Sequence, residues 1–371
     1  MPTSKSAQKT ANKKSALKKN AASKVTKKKA APAKRVAKAK VALAPAVIAT
    51  PQISADLANA ARIALVDCMA VQPGETVMIL TDENKRDIGV ALWQVAKELN
   101  TEAILVEMTP RSRNGEEPPA PVAAMMAMSS VVLCPTTKSV THTAARRDAI
   151  ARGARMATLP GITEDMMIRC LSADYRAIAE RSILLSKELQ KANEIHVTSP
   201  AGTDIVMQRG DRYPKPDTGL FHHPGESGNL PGGETFFAPI EGTAQGTIVF
   251  EAAVAGVGKI NKPIHIIVRD GLAVEITGGA EAQKLNALVD AAGTFGRNIA
   301  ELGIGTNDKA KITGLILEDE KVMGTVHIAL GDNKSMGGNV AVSSHLDGLI
   351  LKPTVRLDGR VIMQAGKLLI G

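Results

Sequence analysis

The sequence predicts an α/β protein in two parts: an N-terminal domain built on a parallel sheet, then a β-rich α+β C-terminal domain. Three observations carry this. Between Ser54 and Asn193, short apolar runs alternate with helical periodicity, the signature of βαβ units. After Glu194 the texture changes to alternating strands and Gly-rich turns. Ahead of both lies a lysine-rich stretch with no apolar face. The expected limits are a disordered tail over 1–50, an α/β domain over 51–193 and the β-rich domain over 194–371.

The basic balance belongs to the tail. Residues 1–40 hold 13 Lys and one Arg, and the first acid is Asp56. Removing that stretch leaves 32 basic residues against 37 acidic ones, so the body is mildly acidic despite a whole-chain charge of +9. A pI near 9.4 therefore does not make the whole protein a nucleic-acid binder. The tail cannot bury enough apolar surface to offset its ordering entropy, and its charges repel. Its Lys/Ala composition is similar to the tails of histone-H1-like bacterial proteins. That implies weak, salt-sensitive contact with a polyanion; a solubilising extension or a start codon assigned too far upstream explains it equally well.

The whole chain has 44% hydrophobic residues and a mean hydropathy of −0.01, as a globular chain does. Three cysteines (Cys68, Cys134, Cys170) without CxxC spacing argue against a disulfide scaffold and fit a reducing compartment. No apolar run reaches 18 residues, and Val41–Thr50, broken by Pro45, lacks signal-peptide form. The expected location is cytoplasmic, with no membrane partner.

In order along the first domain, Ser54 is a helix N-cap with Asp56 in the first turn, for a helix to about Val71. Strands are expected at Thr76–Leu80, Ala103–Met108, Val131–Cys134 and Met156–Leu159. Helices are expected at Lys85–Leu99, Pro121–Met128, Thr143–Arg152 and Tyr175–Asn193. The turn after Leu80 reads TDENKRD, so the dinucleotide fingerprint is missing, and Gly256-Val-Gly258-Lys259 is a turn rather than a P-loop. In the second domain, hairpins turn at Ala201-Gly202-Thr203 and Asp270-Gly271, and a helix covers about Ala280–Gly293.

Three segments of that second domain carry chemistry. Asn229-Leu-Pro-Gly-Gly-Glu234 uses glycines to bring an acid close to other groups. Ile299-Ala-Glu301-Leu-Gly-Ile-Gly305 buries an acid in an apolar run. The third runs from Glu318-Asp-Glu320 through His327 to Ser344-His345-Leu-Asp347. His345 and Asp347 are two apart, so a strand sends both side chains to one face. Two histidines with several carboxylates make a donor set for a divalent transition metal, which gives the β-rich domain its expected metal-binding role. Taken singly each is ordinary, since a His in an apolar strand is more often a hydrogen-bonded core residue. His142, His196 and His265 lack such company and read as structural, and His222-His223 read as an exposed loop.

LPGGE at 230–234, ITGGAEAQKL at 276–285, AELGIG at 300–305, VHIALG at 326–331 and HLD at 345–347 together resemble the aminopeptidase T/aminopeptidase S metallopeptidases across about 54–371. The resemblance implies a two-domain homodimer that removes N-terminal residues from peptides with two divalent ions (Zn, Co, Mn or Mg). It puts metal-binding acids on Glu234 and Glu301 and further ligands on His327, His345 and Asp347. A metal-bridging Glu expected shortly before the first ligand His finds Glu320, seven residues ahead of His327. The family's catalytic Tyr, seven residues after that His, is Lys334 here, and the His327–His345 interval is shorter than in the peptidases.

The chain also resembles, more distantly, the 2,5-dihydroxypyridine 5,6-dioxygenase family, which uses one Fe(II). The shared features are the GG-x-EA segment, the HLD end and the lack of the peptidases' long insertion. The resemblance aligns that family's iron-ligand His with Glu301 and leaves His327 without a clear counterpart. A set of two His and one carboxylate can still be drawn from His327, His345 and Asp347.

The expected function is thus a metal-dependent hydrolase acting on a peptide or small amide, with Glu301 as general base or bridging ligand. Lys334 would stand in for the Tyr in stabilising the oxyanion. The rivals are a mononuclear iron ring-opening enzyme and a nucleoid-associated protein acting through its tail. The tail is expected to be dispensable for folding: deletion of residues 1–44 should leave the thermal melting midpoint of the body within a degree or two (about 0.5 kcal/mol or less). A large loss of thermal stability would overturn this.

Overall fold

The computed structural model describes residues 52–370, which make up one unit. The tail expected over 1–50 lies outside the described residues. The first half is laid out as its periodicity implies. β1 (Thr76–Asp82), β2 (Glu102–Met108), β3 (Val131–Thr136) and β4 (Arg155–Pro160) form a parallel sheet in the order β2-β1-β3-β4. Alternation along β1 explains its two covers. Val77 and Ile79 face one cluster with α1 (Ala55–Ile63) and α2 (Arg86–Glu98), whereas Met78 and Leu80 face the other with α3 (Ala120–Met128) and α4 (Ala144–Ala151). Both faces are buried, so the strand is continuously apolar.

Side-chain caps set the helix starts. Ser54 Oγ accepts from Leu57 N at 3.2 Å, and the first helix gives way to a wider turn at Ala64–Cys68. Thr143 caps α4, Thr163 caps α5 (Glu164–Leu171) and Asp174 caps α6 (Tyr175–Gln190). The sequence reading passes over α5, whose two turns are too short to show a period. It also passes over Ser227–Asn229, three residues from the second half that pair in parallel with β4.

The second half contains two antiparallel sheets. One has eight strands, including the hairpins Glu194–Thr198/Asp204–Gln208 and Ile264–Arg269/Leu272–Thr277. The other has seven, with the run Glu234–Phe237, Ile299–Gly305, Val326–Gly331, His345–Ile350 at its centre. One core lies across both sheets. From the seven-stranded sheet it takes Phe237, Leu302, Ile304, Val326, Ile328, Leu330, Leu346 and Ile350. Period-2 alternation therefore sends Glu301, His327, His345 and Asp347 to the opposite face. The architecture is the α/β plus β-rich arrangement that the patterning predicts.

Leu302 holds that alternation in register, because a slip of one residue would exchange the acid and apolar faces. Leu302→Ala is expected to cost about 2–5 kcal/mol in urea unfolding, the range for a buried Leu truncation. A cost below about 1 kcal/mol would show that the core does not anchor this strand.

Candidate metal centre

Four neighbouring strands supply the site. Glu234 begins the first, opposite Gly305 of the second. The cis Leu230–Pro231 bond and Gly233, at φ +122°, turn the chain just ahead of it. Gly232 passes so close to Gly219 that a Cβ would lie 2.6 Å from its Cα. The glycines of LPGGE thus permit backbone contact. Gly303 has a different use. It pairs with His327, and a Cβ there would lie 2.0 Å from His327 Nε2, so this glycine makes room for the imidazole.

The side chains converge. His327 Nε2 lies 3.1 Å from Glu234 Oε2 and 3.3 Å from Glu301 Oε1. His345 Nε2 lies 3.0 Å from Glu301 Oε2 and 3.4 Å from Asp347 Oδ1. Two ligand groups result, Glu234–Glu301–His327 and Glu301–His345–Asp347, each with donor atoms within 4.8 Å of one another. Glu301 belongs to both. The set of His327, His345 and Asp347 drawn from the sequence is not one group: His327 goes with the other cluster. Glu320 belongs to neither among the described residues.

The donors suit a cation. Glu234 Oε2 is buried and faces the His327 imidazole, 3.1 Å away. His345 Nδ1 is 2.7 Å from the Asp332 carbonyl, which accepts its proton and leaves Nε2 aimed into the site. Burial opposes charge on His327, but the hydrogen bonds and charges of Glu234 and Glu301 outweigh it and hold the imidazole well above its usual range. Burial likewise opposes charge on His345, and Asp347 and Glu301 reverse it. Burial raises Glu301, yet the two imidazoles bring it well below the carboxylate range. The acids thus draw positive charge from whatever stands beside them, as a divalent-metal site does.

Lys321 is the participant that the sequence reading missed. Its ammonium donates to Glu234 Oε1 at 2.5 Å and to Glu320 Oε1 at 2.6 Å, with Asp217 Oδ2 at 3.8 Å. Burial pushes the Glu320 carboxyl up to about 8, reinforced by Glu234 and Asp347 and opposed by Lys321. Burial also raises Asp217, to about 6. The lysine in the run EDEK carries no local mark of burial, since adjacent residues there look like a charged loop. Glu318 and Asp319 have other partners: Arg169 for the first, Thr313 and Gly314 for the second.

His142, read from the sequence as structural, lies in the connection between β3 and α4. Desolvation of its imidazole, then the positive charges of His345 and Arg146, depress it. Lys334 sits exposed in a turn, and no ion pair joins it to a site acid among the described residues. His222 bonds the Asp67 carbonyl, His196 pairs with Asp204, and His265 is exposed on its strand.

The fold and these donor groups define a two-part α/β protein with a carboxylate–imidazole centre. The chain belongs to the 2,5-dihydroxypyridine 5,6-dioxygenase family, whose model matches residues 56–370. A relative of that name from Pseudomonas putida is 25% identical over 266 residues, 66% of this chain and 73% of the relative. The structure of 2,5-dihydroxypyridine dioxygenase from P. putida KT2440 superposes with a TM-score of 0.73 at 19% identity, covering 86% of this chain and 98% of the other. Wild-type AmpT from Thermus thermophilus gives 0.63 at 18% identity, covering 85% and 99%. The dioxygenase resemblance, ranked second on motifs, is the stronger one; the aminopeptidase resemblance is supported as likeness of fold. Among the described residues no helix is long and apolar enough to cross a membrane.

Gly303→Ala tests the packing that admits His327. The variant is expected to fold with a melting point lowered by several degrees (about 1–3 kcal/mol of overpacking). Unchanged stability would mean that His327 does not need this space.

Proposed function

We propose that this chain is a metal-dependent enzyme that opens a small hydroxylated aromatic ring with dioxygen. The observation that carries the reading is the family match across residues 56–370. Glu301, His345 and Asp347 would hold the ion, three donors from the two strands that flank the His327 strand, with one edge open to solvent. His345 forms that edge, its side chain 26% exposed against 11% or less for Asp347 and Glu301. A ferrous ion bound there would let dioxygen react with the ring, the ring itself being oxidised and taking up both oxygen atoms. The remaining steps fall to the chain. The Asp332 carbonyl fixes the His345 ring. His142, depressed and therefore neutral near pH 7, is suited to accept a proton from a substrate hydroxyl.

On the motif resemblance, the set would depart from the family at Glu301, the position of the family's iron-ligand His. Here the second imidazole is on the neighbouring strand, with His327 Nε2 3.3 Å from Glu301. A second reading, hydrolysis of a peptide or small amide, has one specific observation in its favour: the two ligand groups share Glu301 as a dinuclear centre would.

The two readings separate in one assay. The full chain, loaded anaerobically with Fe(II), is given 2,5-dihydroxypyridine and related hydroxylated rings under air; parallel samples with Zn, Mn or Co are given aminoacyl amides. Oxygen uptake matched to loss of ring absorbance is expected with iron alone. His345→Ala and Asp347→Ala should lose both metal and turnover, whereas His142→Ala should keep metal and lose about 10²–10⁴-fold in rate. Amide hydrolysis without oxygen uptake would sink the ring-opening reading, and full metal occupancy in both ligand variants would mean that the site is elsewhere.

A further inference from the structure

Lys321 is 1% exposed, the most deeply buried Lys or Arg among the described residues. An ammonium so placed must be paired, because a buried charge without a partner is costly. The partners are three acids: Glu234 at 2.5 Å, Glu320 at 2.6 Å and Asp217 at 3.8 Å. One of them, Glu234, is also a donor of the Glu234–Glu301–His327 group. Its Oε1 accepts a hydrogen bond from the ammonium while its Oε2 faces His327. An ion held by that group would therefore share a single carboxylate with the ammonium. Glu320, the remaining acid that could strengthen such an ion's hold, is bound to the same ammonium.

Two positive centres on one buried carboxylate repel strongly in a poorly polarisable interior. The other group, Glu301–His345–Asp347, has no such neighbour, since none of its acids pairs with Lys321. We propose that Lys321 is a built-in second cation: it neutralises Glu234 and Glu320 in place of one of the two ions that paired ligand groups sharing an acid would take. Each chain then binds one divalent ion, on Glu301, His345 and Asp347. Lys321 acts as a positioning residue that sets metal count without touching substrate. The inference concerns the resting protein and is independent of the reaction that follows.

The test counts ions rather than turnover. The full chain is stripped with chelator, dialysed against Mn(II) and in parallel Zn(II), and the metal-to-protein ratio is measured by mass spectrometry. Wild type is expected to hold one ion per chain. Lys321→Met keeps the apolar stem but removes the charge, leaving three buried acids without their ammonium, and should hold two. Lys321→Arg, which keeps the charge, should return the count to one, as should Lys321→Met combined with Glu234→Gln. Two ions per chain in wild type would overturn the proposal, as would one ion in a folded Lys321→Met. Should Lys321→Met be insoluble without metal, Lys321→Gln refolded with Mn(II) serves instead, and a count of one there also overturns it. No substrate or oxygen is present, so the outcome is separate from that of the ring-opening assay.

Discussion

Glu301 is the residue on which the site depends. It is 6% exposed, and its two oxygens face two different imidazoles, His327 at 3.3 Å and His345 at 3.0 Å. A carboxylate removed from water persists as an anion only when positive charge or hydrogen-bond donors stand close by. Every other polar member of the centre answers that need or repeats it. The imidazoles neutralise Glu301, Asp347 balances His345, and Lys321 takes the excess charge of Glu234 and Glu320. Removing one partner leaves an uncompensated buried charge rather than a lost contact, so these residues act as a set.

The scaffold makes such a set possible by separating two chemistries on one sheet. Leu302, Ile304, Val326, Ile328 and Leu330 face the core shared with the eight-stranded sheet. The intervening residues face the other way and carry the acids and imidazoles. A strand with a period of two needs no special device for this. Space does need one: Gly303 is opposite His327 because a side chain there would occupy the position of the ring. The parallel-sheet half contributes through loops, bringing His142 within electrostatic reach of His345.

The donor set is rich in carboxylates, and charge shows how the centre tolerates them. Glu234 and Glu301 are both buried and add negative charge. His327 on the adjacent strand and the ammonium of Lys321 offset it, both positioned by residues that lie far apart in sequence. The result is two donor groups that share Glu301, one of which also holds a lysine ammonium.

Short-range periodicity and chemistry were enough to read the parallel sheet, most helices, both hairpins and the shared face of His345 and Asp347. Those features depend on neighbours within a few residues: alternation, a Ser or Thr cap, an Asp-Gly turn. Glu234, Glu301 and His327 were legible as candidates through their glycine-rich or apolar settings, although their grouping was not. Tertiary structure alone decided which donors meet, because pairing strands around residues 234, 301, 327 and 345 is a matter of register between distant segments. It alone made Lys321 a buried cation, drew Ser227–Asn229 into the parallel sheet and brought His142 within electrostatic reach of His345. A lysine beside a glutamate reads the same in sequence whether water or three carboxylates surround it; burial depends on contacts about a hundred residues away.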